Sequence, residues 1–214
     1  NECSFFIIPT TVEVKEEAGM PKVSDAHRES RRDQILDAAL RCFTAQGFQA
    51  TTMADIIAAS SLSAGAIYGY FPGKRELAVA AARRAIAGRV EDVFAAAAAG
   101  PIPPAAVLRA IAEGFERDGI ASGLVVQLWG EAASDPEFRS VATEAFGDLA
   151  RIFGTRFAEW ASTVRGMSAA DAAEWARQTL PVLLAHGQGL IVQSALLPGF
   201  DRERYLAAVE GLLG

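Results

Sequence analysis

The side chains able to do chemistry in this 214-residue chain are few and scattered. Histidine occurs only at His27 and His186, too far apart in sequence to suggest a metal cluster or a catalytic triad. There is no glycine-rich phosphate loop. Glu131 and Asp135 are near neighbours, but Asp135 is better explained as the cap of a helix opening at Pro136. No constellation carries enzymatic chemistry, and neither a metal nor a cofactor is expected. Residues 51–74 do offer groups suited to a polyanion. Lys74 falls in the first turn of a helix, where backbone N–H groups and the helix dipole also favour a phosphate. Arg28, Arg31 and Arg32 cluster at the start of an earlier helix.

The elements that must position these groups are helical. Thr52 can cap a helix, with Asp55 three residues on completing a capping box. Met53, Ile56 and Ile57 follow at helical spacing. Ser60-Ser61 interrupt the pattern, Leu62 plugs the turn, and Ser63 can cap a second helix. Ile67, Tyr68 and Phe71 lie on one face of it, and Pro72 stops it. Two short helices, a tight turn and a third helix opening at Gly73-Lys74 have the size and punctuation of a helix-turn-helix.

Charge agrees once its distribution is considered. The net charge of −6 speaks against a nucleic-acid binder. Residues 21–84, however, carry 9 basic and 6 acidic side chains, and residues 85–214 carry 10 and 16. The positive charge sits with the helix-turn-helix, where phosphates would be; a merely solvated basic face is the alternative.

These residues resemble the TetR family of bacterial transcriptional repressors. The resemblance lies in residues 52–57, in Leu62-Ser63 and above all in Ile67-Tyr68-Gly69-Tyr70-Phe71-Pro72-Gly73-Lys74. It extends upstream through residues 35–43 and Gln46-Gly47-Phe48, with a weaker echo from Gly189 to Gln193. It implies an all-α protein in which a helix-turn-helix is joined by a long helix to a C-terminal bundle. Residues 20–72 would be the DNA-binding domain and residues 73–214 the ligand-binding and dimerisation domain. Residues 1–19 read as a leader or tail of doubtful nativeness, because Met20 before Pro21-Lys22 is a plausible start. Phe5-Phe6-Ile7-Ile8 is too short for a signal-peptide core.

Composition supports the all-α assignment: half the residues are hydrophobic, alanine is abundant, and Ala, Leu, Glu and Arg fall at helical spacing. About nine helices emerge, the first near residues 25–46, with Gly47 as its stop. Another runs from Gly73 into the alanine stretch at 95–99. The remainder open near Ala105, Ser122, Asp135, Ser168 and Asp201, the penultimate one containing Pro181. Cys42 reads as a small core residue and Cys3 lies in the leader, so no disulfide framework is implied, which fits a reducing cytoplasm. No apolar run is long enough for a membrane span.

In helix-turn-helix proteins the first residues of the second helix meet the base edges. Here those are Ser63, Ala64, Gly65 and Ala66, which have little hydrogen-bonding reach, though Ala64 and Ala66 can touch thymine methyl groups. Thr51, Thr52 and Gln49 are nearby polar candidates, and Arg31 joins them. Tyr68 and Tyr70 resemble the family's phosphate-binding aromatics; for Tyr68, core packing is the alternative. Two departures stand out. Ser61 occupies the turn position where the family usually has glycine, and Gly69 replaces a larger residue.

The resemblance further implies a homodimer on double-stranded operator DNA, released by a small-molecule effector of unknown identity. A regulator without a ligand is the alternative. Candidate pocket residues are Phe94, Phe115, Gln127, Trp129, Phe146, Phe153 and His186, each also readable as ordinary core; their aromatic character and scarce charge suggest an apolar or amphipathic effector. Candidate dimer residues are Gly187, Gly189, Leu190, Gln193, Leu197, Tyr205, Val209 and Leu212, against the alternative of an intramolecular core.

Overall fold

The computed structural model describes residues 25–213, and the leader expected at 1–19, with Cys3, lies outside them. The described chain is all-α, in the order α1 (Asp25–Gln46), α2 (Met53–Ser60), α3 (Ala64–Tyr68), α4 (Lys74–Ala96), α5 (Pro104–Arg117), α6 (Ser122–Ser134), α7 (Pro136–Val164), α8 (Ala169–Leu196) and α9 (Arg202–Leu213).

The helix ends follow from local chemistry. The Thr52 hydroxyl accepts from Asp55 N at 3.2 Å, and the Asp55 carboxylate accepts from Thr52 N at 2.8 Å, closing the capping box of α2. Ser63 caps α3 by accepting from Ala66 N at 3.2 Å. Asp135 caps α7 by accepting from Glu137 N at 2.8 Å. Ser168 caps α8 by accepting from Asp171 N. Each such cap is worth about 1 kcal/mol. Gly47 ends α1 in the left-handed conformation, φ +82°. The second helix of the helix-turn-helix is shorter than its apolar spacing suggests. It ends at Tyr68 with Gly69 as its cap, and Phe71 reaches the core from the turn beyond.

One core joins Ile35, Leu36 and Phe43 of α1 to Ile56, Ile67 and Leu77, and extends to Leu124 of α6 and Phe138 of α7. Packing therefore continues across the boundary at Pro72-Gly73. A second core gathers Phe153, Phe157, Leu183 and Leu206 in the bundle. Each fully buried Leu, Ile or Phe contributes about 1.5–3 kcal/mol. The 23-residue α4, about 35 Å long at 1.5 Å per residue, serves both cores: Leu77 packs in the first and Val93 in the second. A cap of aromatic rings closes one end of the bundle, where Trp160 and Trp175 lie 5.6 Å apart with the Arg165 guanidinium over both.

The turn between α2 and α3 stores strain. Ser61 has φ +59°, and among the described residues no other non-glycine is left-handed. The left-handed region costs an L-residue about 1–2 kcal/mol, partly offset by the extra chain entropy a glycine loses. Ser61→Gly is therefore expected to stabilise the protein by about 0.5–1 kcal/mol, read as a higher urea midpoint with an unchanged denaturant slope.

Candidate functional site

Two regions hold the residues capable of binding, and a joint connects them. The first is a shallow groove where the start of α1 meets the turn and α3. His27, Arg31, Ser61, Leu62, Ser63, Ala66 and Tyr70 line it. Arg31 donates to Gln34 Oε1 at 3.0 Å, and Gln34 donates to Ser60 O at 2.8 Å, so the arginine is anchored to the turn it flanks. Ser63, Ala64, Gly65 and Ala66 are exposed side by side. Tyr68 is 50% exposed, which removes core packing as its role, and Tyr70 is half-buried in the groove wall.

The other expected DNA contacts are placed differently. Thr51 is buried and donates its hydroxyl proton to Gly47 O at 2.7 Å, within reach also of Cys42 O; it braces the end of α1 and cannot face a ligand. The Thr52 hydroxyl is exposed, but its proton goes to Asp55 at 2.6 Å. That bond, with the backbone bond beside it, holds the Asp55 carboxyl below its usual value. Lys74 turns back to the α1–α2 loop, donating to Phe48 O at 3.0 Å and Gln49 O at 3.1 Å. His27, weighed in the sequence only for catalysis or metal binding, joins the groove because it lies one helical turn from Arg31.

The second region is a cavity of about 200 Å3 enclosed by α4 to α8 with Leu40 of α1. Phe115, Trp129, Phe146 and Phe153 stand in its wall. Three expected lining residues do not. Phe94 is 44% exposed on the outside of α4, beneath the Arg156 guanidinium at 4.9 Å. Gln127 points away from the cavity toward the α1–α2 loop. His186 packs against Tyr205, whose hydroxyl donates to His186 O at 2.9 Å.

Arg89 is the lining residue that the sequence did not single out. It is 2% exposed and lies with its guanidinium 4.8 Å from the centre of the Phe115 ring. Its Nη2 pairs with Asp118, and Arg117 pairs with Asp92 at 2.7 Å. Burial pushes the Asp118 carboxyl up, but the bonds from Arg89 and Arg117 outweigh it and hold it below the usual value. The cluster fits because residue 114 is glycine: a Cβ there would lie 1.9 Å from Asp92 Oδ2 and 2.9 Å from the guanidinium carbon of Arg89. The i, i+3 spacing of Arg89 and Asp92, in a stretch where Glu91 is the other charged residue between Ala85 and Ala99, was the available signal.

The joint is Phe48. Its backbone N–H donates to Gln127 Oε1 at 2.8 Å, and its ring lies 5.6 Å from both Phe43 and Phe138. Alongside, Gln49 bonds Glu131, and Arg75 pairs with Asp135 at 2.5 Å and Glu137 at 2.9 Å. Helix α6 thus forms cavity wall on one side and grips the helix-turn-helix with the other.

On α8 and α9, the expected dimer residues divide. Leu190 and Val209 are buried in the chain's own core. Gly189 makes its close approach within the chain, where a Cβ would meet the Tyr205 hydroxyl at 3.0 Å, and Gly187 lines the cavity. Gln193 and Tyr205 are half-buried. Leu197 and Leu212 are exposed, and Val182 and Leu196 join them at the surface. Among the described residues no group of three potential ligands could hold a metal, and no helix is long and apolar enough to cross a membrane.

This arrangement defines a class, a helix-turn-helix packed on a hollow helical bundle, and comparison shows which proteins it is similar to. Residues 35–81 match the profile of bacterial regulatory proteins of the tetR family. An HTH-type transcriptional repressor of Mycobacterium tuberculosis is 36% identical over 89 residues, 36% of this chain and 48% of its own length. The chain thus spans about half of that relative. The HTH-type transcriptional regulator BetI of Burkholderia thailandensis is 28% identical over 196 residues, 87% of this chain and 92% of its own length. A putative transcriptional regulator from Saccharomonospora viridis in complex with choline superposes with a TM-score of 0.66 at 17% identity, over 86% of this chain and 95% of its own. Residues 35–81 thus match the tetR-family DNA-binding region, and the rest of the chain shares the fold of these regulators.

Two substitutions test these placements. Gln127→Leu leaves the Phe48 N–H without its acceptor and is expected to lower stability by about 1–3 kcal/mol, with faster hydrogen exchange at Phe48. Gly114→Ala forces Asp92 away from α5 and is expected to cost about 1–3 kcal/mol by urea titration.

Proposed function

We propose that the chain is a transcriptional repressor that binds a palindromic operator as a homodimer and leaves it when a small, largely apolar molecule enters the cavity. The observation that supports this most directly is the double duty of α6, cavity wall and holder of Phe48. A ligand-free regulator would need no such hollow bundle.

On this reading, the exposed start of α3 enters the major groove. Ala64 and Ala66 contact thymine methyl groups, Gly65 allows close approach, and Arg31, Tyr68 and Tyr70 hold phosphates on either side. Lys74 contributes through its helix terminus and any N–H left over from the loop carbonyls. One helix-turn-helix reads one half-site, so two copies are required. Val182 and Leu196 of α8, Leu197 just beyond it and Leu212 of α9 are exposed apolar side chains suited to joining them. The effector acts by binding the non-DNA form better. Choline is bound by one structural neighbour, but here no carboxylate among the described residues lines the cavity and Arg89 opposes a cation. A protein with these partners would work in the cytoplasm.

Selection of bound DNA from a random pool is expected to enrich a palindrome; a pool with no enriched sequence would overturn the proposal. Arg31→Ala should then weaken operator and unrelated DNA alike and flatten the salt dependence of binding by about one unit of slope.

A further inference from the structure

We infer that the effector is an uncharged molecule, not much larger than benzene, whose single hydrogen-bond-accepting oxygen is held by Nη1 of Arg89. This rests on the cavity being the effector site. The argument begins with the donors of a buried guanidinium. Arginine has five N–H groups in a rigid fork. Here Nη2 is engaged with Asp118. Nε lies 2.9 Å from Asp92 Oδ2, a contact at ion-pair distance whose N–H is not aligned for a hydrogen bond. Among the described residues Nη1 has no acceptor, although it is buried and belongs to a residue of the cavity wall. Buried donors are ordinarily paired. Gly114 gives the guanidinium its room, so its position against the cavity is built into the packing.

Charge then decides the kind of acceptor. The cluster holds two guanidiniums, Arg89 and Arg117, and two carboxylates, Asp92 and Asp118, and is balanced as it stands. Among the described residues, the wall offers besides Arg89 only the Trp129 indole N–H and Gln188 as polar side-chain groups. A carboxylate entering this site would bring an uncompensated charge into apolar surroundings, and an ammonium would meet Arg89 directly. A carbonyl oxygen takes a charge-assisted hydrogen bond and adds no net charge. Size is set by the volume: a cavity of roughly 150 Å3 accepts benzene, and this one is about 200 Å3.

The test uses the full chain and three probes of equal carbon count: propylbenzene, propiophenone and 3-phenylpropanoate. Binding is followed at neutral pH by calorimetry and by tryptophan fluorescence, since Trp129 lines the cavity. Propiophenone is expected to bind on the order of tenfold more tightly than propylbenzene, with 3-phenylpropanoate weakest. The carbonyl stretch of bound propiophenone should move to lower wavenumber than in hexane. Arg89→Lys keeps a cation for Asp92 and Asp118 but removes Nη1. It should abolish the preference for the ketone over propylbenzene. The wild-type ranking and the carbonyl band decide the matter even if that variant does not fold. Equal binding of ketone and hydrocarbon, or tightest binding of the carboxylate, overturns this inference and leaves the cavity as an effector site. Failure of all three probes to bind overturns both.

Discussion

The arrangement of the molecule depends on how Phe48 is gripped. Its N–H is bonded to α6 through Gln127, and its carbonyl is bonded to α4 through Lys74. The Lys74 ammonium also lies 4.8 Å from the centre of its ring. The ring itself sits between Phe43 of α1 and Phe138 of α7. Four helices therefore converge on one residue in the loop that joins the first two helices of the reading head. Gly47 next to it must be glycine twice over: its φ is +82°, and a Cβ would lie 2.8 Å from the Gln127 amide. Aromatic pairs and an amide bond of this kind have preferred geometries, so the head is seated at a defined angle on the bundle.

That seating gives the cavity a mechanical connection to the head. Leu40 and Phe138 both line the cavity; Phe138 also meets Phe48 edge to face, and Leu40 belongs to α1 itself. A molecule pressing on this wall acts on both sides of the joint. Interiors are close-packed, so such pressure is relieved by repacking between discrete arrangements. The direction of any shift follows from which arrangement the occupant prefers. The largely apolar lining would supply affinity without direction, and Arg89, whose Nη1 has no acceptor among the described residues, would give an occupant a polar reference.

Much of the fold was legible in the sequence because it is written in local signals. Thr52–Asp55, Ser63, Asp135 and Ser168 each satisfy backbone groups within three residues, so spacing alone reveals them. Ser61 stood out because it occupies a turn position where the resembled family usually has glycine, and the structure gives it a positive φ. The functional regions were less legible because their partners are distant in sequence. Whether Phe94 faced solvent or cavity depended on Arg156, 62 positions away. Gln127 and Lys74 both looked free to bind something else until the fold brought the α1–α2 loop to them. Gly189 read as a contact between subunits because the Tyr205 side chain that fills its space comes from another helix. Local patterns report elements; the assignment of a polar side chain to a role depends on what it meets across the chain.

The chemistry of α3 makes the seating of the head matter more than its side chains. A good bidentate base contact discriminates by about 1–3 kcal/mol, and Ser63, Ala64, Gly65 and Ala66 can make none. What remains is methyl contact, close backbone approach and phosphate anchoring, which tolerate many base sequences but not a wrong distance. In a pair of such heads, selectivity would come from half-site spacing and from the shape the DNA must adopt to meet both. A change of tilt at Phe48 would alter that spacing in such a pair. A base-poor recognition helix and a tightly defined joint are thus complementary: the less each head reads by itself, the more strongly binding responds to the angle at which it is held.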